Sequence, residues 1–312
     1  MARIVTLTLN PAIDNSCEAE RVSPTHKTRT FDERLQPGGG GINVARVLKR
    51  LGANVHAIFT GGGATGQVLD ELLDRTGVSN CRVPIIDDTR VSLTVVERST
   101  GQEYRFVPEG PELLESEWQA CLELLETVEC DYFVASGSLP RGVPDKFYAW
   151  AWETLRKRDV RFILDTSGPE LPACLARGGL YLVKPSSVEL EELAGRKLPT
   201  NRDLADAASA IVAEGQAELV AVTLGREGAI LAHRGGAHFL PAPTVETRSA
   251  VGAGDSFLAA MVHALVTGKD APEALRFGVA AGAAAAVTQG SDLAHPRDID
   301  TLVKQVPEGE PL

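Results

Sequence analysis

Val251-Gly252-Ala253-Gly254-Asp255-Ser256 stands where a loop hands over to an apolar run, residues 257–266. Glycines let a backbone approach a ligand closely, and the free amides of a helix start favour anions. An aspartate at the end of such a turn can face whatever the amides hold. An anion hole beside a base suits phosphoryl transfer to a hydroxyl. The competing reading is a plain glycine turn with Asp255 as a helix cap. Residues 252–255 alone do not choose between the two; the chain around them does.

Outward from this turn, short β-rich runs alternate with longer helical patterns. Residues 4–9, 55–59, 132–136, 162–165, 180–183, 219–224 and 229–232 read as strands. Residues 41–51, 67–76, 116–128, 144–158, 187–193, 202–214, 255–266 and 271–289 read as helices. The alternation predicts an α/β fold whose mostly parallel sheet is covered on both faces. Two segments break the rhythm. Residues 15–36 and 88–107 are polar, alternating and without helical period, and the second reads as a hairpin turning at 98–102. A small sheet beside the core would need its free face buried, and a second copy of the chain could bury it. The expected division is a core of residues 1–14, 37–87 and 108–312 and a β lid of residues 15–36 and 88–107. The tail, 306–312, is expected to fray.

Composition narrows the function classes. A net charge of −11 argues against a general nucleic-acid or anionic-membrane binder, though a local site can still be basic. Cys17, Cys81, Cys121, Cys130 and Cys174 are scattered with no CxxC pair, which reads as reduced thiols in the cytoplasm. No signal peptide is expected, and no apolar run reaches the roughly 20 residues that span a bilayer. The six histidines show no metal spacing.

Gln36-Pro37-Gly38-Gly39-Gly40-Gly41-Ile42-Asn43 is a second glycine-rich helix start, where bare backbone admits a ligand and Asn43 can bond hydroxyls. It is neither a P-loop, since no Gly-Lys-Ser/Thr follows, nor a Rossmann fingerprint. Asp14 follows the first strand, at the end where parallel sheets bind ligands. Ser138 and the run Lys184-Pro185-Ser186-Ser187-Val188-Glu189 also follow strands. Lys184 and Glu189 can serve a phosphate and a Mg²⁺-bound water, or simply start a helix. Thr223-Leu224-Gly225-Arg226-Glu227-Gly228 is a strand–turn–strand whose glycines leave room for a nucleotide. Arg90 and Arg105 suit a phosphate monoester if strand pairing puts them on one side.

Together these motifs resemble the ribokinase-like carbohydrate kinases, the phosphofructokinase B family, over nearly the whole chain. Residues 38–45 match the family's N-terminal signature and 249–257 its C-terminal one. Within the family, Pro37 to Arg46, Gly61 to Gly66, Glu103 to Val107 and Arg276 to Gly282 resemble the branch that phosphorylates fructose 6-phosphate. The branches acting on fructose 1-phosphate and tagatose 6-phosphate share the framework. The resemblance implies a three-layer α/β/α core with a small β lid that meets its partner's lid in a homodimer. It implies ATP with Mg²⁺ and a phosphorylated ketohexose as ligands. Asp255 would be the base, and the amides of Gly252, Ala253 and Gly254 the anion hole. Asp14, Gly39, Gly40, Asn43 and Ser138 would hold the sugar, and Arg90 and Arg105 its phosphate. Lys184, Ser186, Thr223, Gly225, Gly228 and Thr247 would line the ATP site, with Glu189 near Mg²⁺. Lys27 would reach toward the neighbouring subunit's nucleotide. Ser249, Val251, Ala285 and Gly290 would supply a K⁺ site. The chain departs from the family at Ser186, where asparagine is usual, and at Asp292, where relatives carry a basic residue. A sugar-phosphate sensor without activity is the rival from another class.

Overall fold

The computed structural model describes every residue except Met1, Gln289 and Ser291. Apolar strands recur between helices, and they assemble into one large sheet and one small one. The first half of the chain runs β1 (Arg3–Thr8), β2 (Ala12–Ala19), β3 (Thr30–Gly38), α1 (Gly40–Arg50), β4 (Asn54–Gly62), α2 (Gly63–Asp74), β5 (Ser79–Ile85), β6 (Arg90–Glu97), β7 (Glu103–Phe106) and α3 (Glu115–Thr127). It continues through β8 (Tyr132–Ser136), α4 (Phe147–Leu155), β9 (Arg161–Asp165), α5 (Glu170–Leu175), β10 (Leu180–Val183), α6 (Ser187–Ala194), α7 (Asn201–Ala213) and β11 (Ala217–Thr223). It ends with β12 (Gly228–His233), β13 (Gly236–Pro241), α8 (Ala253–Val266), α9 (Ala271–Ala286), α10 (Pro296–Leu302) and β14 (Glu310–Pro311).

The large sheet has the order β14-β13-β12-β11-β10-β9-β8-β1-β4-β5. Its seven strands from β11 to β5 pair in parallel, and β12 to β14 extend one edge antiparallel. Strands buried on both faces read as continuous apolar runs, as 132–135 does. One buried cluster packs α1, α2, α8, α9 and α10 on one face. A second packs α3 to α7 on the other, so the core has three layers. The small sheet has the order β3-β2-β6-β7.

Five elements escape the sequence pattern. β5 contains Pro84, which removes a donor and is tolerated because this strand is an edge. β13 and β14 form the opposite edge, and here the expectation for the tail is corrected. Glu310 pairs with Phe239, and the Leu312 amide donates to the Ala237 carbonyl at 2.8 Å. An otherwise open edge strand gains a partner from these residues. The short helices α5 and α10 also carry too few turns to show a period.

In the core, Phe162 stacks on Phe133 with centroids 5.4 Å apart and meets Trp152 at 5.5 Å. Phe162→Ala empties that junction and is expected to lower stability by about 3–5 kcal/mol. A urea titration followed by tryptophan fluorescence checks this, and a loss under about 1 kcal/mol contradicts it.

Candidate active site

Parallel strands all end on one side, so the last residues of β8 and β9 and the residue just past β10 meet there. Ser136 pairs in register with Asp165, and the Lys184 amide donates to the Leu164 carbonyl at 3.1 Å. The side chains close the same knot. Lys184 Nζ lies 2.9 Å from Asp165 Oδ1, and the Ser136 hydroxyl donates to Asp165 Oδ2 at 3.3 Å. Burial works against the Lys184 ammonium, but the carboxylates of Asp165, Asp255 and Glu189 outweigh it and hold the lysine charged.

Two helix starts face this knot. Gly39 precedes α1 at φ +109°, with Thr8 and Pro11 too close for a Cβ. Gly252 precedes α8 at φ +69°, where a Cβ would stand 2.3 Å from Leu293 Cδ2. Both conformations are ones that glycine alone adopts cheaply. The first turn of α8 carries Asp255, and Asn43 Nδ2 in α1 donates to Asp255 Oδ2 at 2.9 Å. Burial pushes the Asp255 carboxyl up to about 6, and the Asp165 charge adds to it, while the Asn43 hydrogen bond and Lys184 pull the other way.

This turn is a wall between two cavities. On one side, Val251, Gly252 and Asp255 line a cleft of about 360 Å³ with Asp14, Gly39, Gly40, Asn43, Ser138, Lys184 and Glu189. On the other, Ala253 and Gly254 line a cavity of about 680 Å³ with Thr223, Gly225, Gly228 and Thr247. Phe257, Val279, Ala283 and Ala286 make that second cavity largely apolar. Helix-start amides between two cavities form a ready site for an anion shared by both.

The small sheet roofs the first cleft. Arg90, Ser92 and Thr94 alternate along β6 and share one face. Asp14 stands opposite Ser92, and Arg105 opposite Thr94, so strand pairing does bring the two arginines to one side. Their situations differ. Arg105 is exposed, with a loose ion pair to Glu103 at 3.8 Å. Arg90 donates to the carbonyls of Asn10 at 2.7 Å, Pro11 at 3.4 Å and Pro108 at 2.9 Å. Most of its fork therefore holds two of the crossings between the sheets. Burial also raises the Asp14 carboxyl, against the pull of Arg46, Arg90 and Arg105.

Other sequence-nominated residues are placed less centrally. Ser186 caps α6: its hydroxyl accepts from the Glu189 amide at 3.2 Å, and the Glu189 carboxylate accepts from the Ser186 amide at 2.7 Å. Glu189 still lines the cleft, whereas Ser186 lines neither cavity. Lys27 is exposed on the loop between β2 and β3. Ser249 accepts from the Val251 amide at 3.2 Å, and the Ala285 carbonyl accepts from the Thr288 amide at 3.1 Å and hydroxyl at 2.8 Å. Gly290 lies beside Ser16 of β2. Asp292 binds Arg50 at 2.9 Å and His295 at 3.0 Å. Sequence reasoning gave no role to Asp165 or to Arg46, a buried arginine behind Asn43. Position at the end of a parallel strand was the available signal for Asp165.

The family model for pfkB family carbohydrate kinases matches residues 7–297. The chain belongs to this family. It is a phosphotransferase with a hydroxyl acceptor, as its pfkB-family membership entails. The chain is 40% identical to the ATP-dependent 6-phosphofructokinase isozyme 2 of Mycobacterium tuberculosis over 98% of its own length and 90% of the relative's. It is similar in fold to phosphofructokinase-2 from Escherichia coli in complex with potassium, with a TM-score of 0.94, 39% identity, and 97% and 99% of the two chains covered. The same enzyme in complex with fructose-6-phosphate matches at a TM-score of 0.92 and 38% identity, over 97% and 99% of the chains.

In this pfkB-family kinase the Asp255 carboxyl is raised from its ordinary 3.8 to about 6 by the fold. The folded state therefore holds its proton more tightly than the unfolded state. Ionised Asp255 weakens the fold above pH 6, and the burden disappears below pH 4, where both states are protonated. Asp255→Asn is expected to be more stable than wild type at pH 8 by about 1–3 kcal/mol. The gain should vanish near pH 4. Thermal unfolding across that pH range checks it, and equal or lower stability of the variant at pH 8 contradicts it.

Proposed function

We propose that the chain transfers the γ-phosphoryl group of ATP to the 1-hydroxyl of fructose 6-phosphate, giving fructose 1,6-bisphosphate and ADP. The observation that carries this reading is the Gly252–Asp255 turn standing between a polar cleft and an apolar cavity. Fructose 6-phosphate fits the polar side. Asp14, Gly39, Gly40, Asn43 and Ser138 hold its hydroxyls, and Arg105 binds its phosphate with the donors that Arg90 keeps free. The adenosine of ATP occupies the apolar side, against Thr223, Gly225, Gly228 and Thr247, and its phosphates run over the turn toward Lys184. Names of the similar proteins support the choice of sugar and nucleotide.

Asp255 takes the proton from the 1-hydroxyl as its oxygen attacks the γ-phosphorus in line. The new O–P bond forms while the bond to the β-phosphate oxygen breaks, and ADP leaves. The amides of Gly252, Ala253 and Gly254 and the Lys184 ammonium stabilise the charge on the transferred group. Mg²⁺ bound with ATP would neutralise phosphate charge, and Glu189 fits it through water, since this carboxylate lines the cleft while capping α6. Ser186 contributes to the nucleotide site through that cap. The carbonyls of Ser249, Val251, Ala285 and Gly290 would hold K⁺, that of Ala285 by exchanging a hydrogen bond from Thr288, a reading supported by the potassium complex of the similar enzyme. The β lid excludes water when it closes over the sugar. Its outer face carries exposed Leu35, Val91 and Phe106, which suits pairing with a second lid, with Lys27 reaching across to the partner's nucleotide. Reduced thiols and these substrates suit the cytoplasm.

A coupled assay comparing fructose 6-phosphate, fructose 1-phosphate and tagatose 6-phosphate tests the reading. kcat/KM is expected to be highest for fructose 6-phosphate; a higher value for either rival overturns the choice of sugar. Asp255→Asn is expected to lower kcat by roughly 10²–10⁴-fold, and a near-wild-type rate overturns the base assignment.

A further inference from the structure

Arg46 lies one turn past Asn43 on α1 and is 5% exposed. A guanidinium is costly to bury unless its donors are used. Here one nitrogen is used twice. Arg46 Nη1 donates to the Pro37 carbonyl at 2.7 Å and to Asn43 Oδ1 at 3.1 Å. Its Nε has no hydrogen-bond partner among the described residues. Pro37 belongs to β3, the strand that returns from the small sheet, and pairs there with Ile13 of β2. Asn43 in turn donates from Nδ2 to Asp255 Oδ2 at 2.9 Å. A continuous path therefore runs from the lid's return strand through Arg46 and Asn43 to the carboxylate at the phosphoryl site.

An asparagine amide is nearly symmetric in shape, and its two ends differ only in donating or accepting. Turned over, Asn43 would aim its oxygen at a carboxylate. Arg46 supplies only donors, so it accepts one setting of Asn43 and rejects the other. We infer that Arg46 is a positioning residue that fixes the Asn43 amide toward Asp255 and ties that setting to the place of the lid strand. The inference rests on Asp255 being the base of the proposed reaction. It also accounts for a charged side chain in a place where an apolar one would fold at less cost.

The charges around both groups set the expected direction. Asp165, Lys184 and Asp14 face Asp255 together with the Asn43 amide. Arg50, Asp292, Asp14 and Asp255 act on Arg46. Burial lowers the Arg46 guanidinium to about 10, so it stays charged at neutral pH. Removing it takes away a cation and frees Asn43 to turn, and both changes favour protonated Asp255.

The test is kcat against pH for wild type, Arg46→Gln, Arg46→Lys, Asn43→Ala and the Arg46→Gln/Asn43→Ala pair. The readout uses whichever of fructose 6-phosphate, fructose 1-phosphate or tagatose 6-phosphate the wild type turns over fastest, so an error in the proposed sugar leaves this test intact. Arg46→Gln is expected to move the acid limb of kcat upward by about half a pH unit or more. It should lower kcat at pH 7 by roughly 10-fold, with KM for ATP little changed. Arg46→Lys should lie between it and wild type, and it decides the matter if the glutamine variant does not fold. In the Asn43→Ala background, Arg46→Gln should shift the limb no further, because the two act in series. A folded, active Arg46 variant with the wild-type acid limb, or full additivity with Asn43→Ala, overturns the inference.

Discussion

The hydrogen bond from Asn43 Nδ2 to Asp255 Oδ2, 2.9 Å long, joins residues 212 positions apart and holds two helix starts against one another. Everything else at the site is arranged around it. The parallel strands bring Ser136, Asp165 and Lys184 to one edge, but strand ends alone leave the carboxylate of α8 unplaced. α1 and α8 share one buried cluster on the same face of the sheet, so their first turns arrive side by side. The contest at Asp255 has a clear winner. Burial and the charge of Asp165 outweigh the stabilisation from Asn43 and Lys184, and the carboxyl is left at about 6. Such a group is ionised at neutral pH yet basic enough to take a proton from a hydroxyl as that hydroxyl attacks.

The two sheets differ in how they are held. The core rests on two extensive buried clusters, whereas the small sheet buries only Cys17, Ala19 and Val95 as a cluster of its own. A four-stranded sheet with so little core depends on its attachments. Arg90 and Arg46 supply them, by donating to carbonyls at Asn10, Pro11, Pro108 and Pro37 where the chain passes between the sheets. These arginines, with Lys184 and Arg105, also gather positive charge around the cleft of a chain whose net charge is −11. An acidic protein can thus present a locally basic site to an anionic ligand.

Much of this was legible in the sequence because it rests on local rules. Period and alternation gave the large sheet, and the insertions gave the small one. Both glycine-rich helix starts stand at the cleft, and Gly39 and Gly252 take positive-φ backbone angles there that glycine adopts most cheaply. What escaped depends on contacts far apart in the chain. Asp165 looks like any strand end until register sets it beside Ser136 and Lys184. Arg46 looks like a helix-surface charge until α1 packs down. Arg90 was read as a phosphate ligand from its charge, and only the folded lid reveals the carbonyls that take up most of its donors. Ser186 was nominated by resemblance, and its side chain is engaged in the cap that the local pattern Ser-Ser-Val-Glu already allowed. β5 and β14 were invisible for opposite reasons: proline argues against a strand, and two residues show no period.

The central claim is that the fold itself sets the basicity of Asp255. The most direct measurement is a ¹³C titration of its side-chain carboxyl in the unliganded protein, with the resonance assigned by its loss in Asp255→Asn. The structure predicts a midpoint at about 6. A midpoint at the ordinary value of 3.8 would contradict the account.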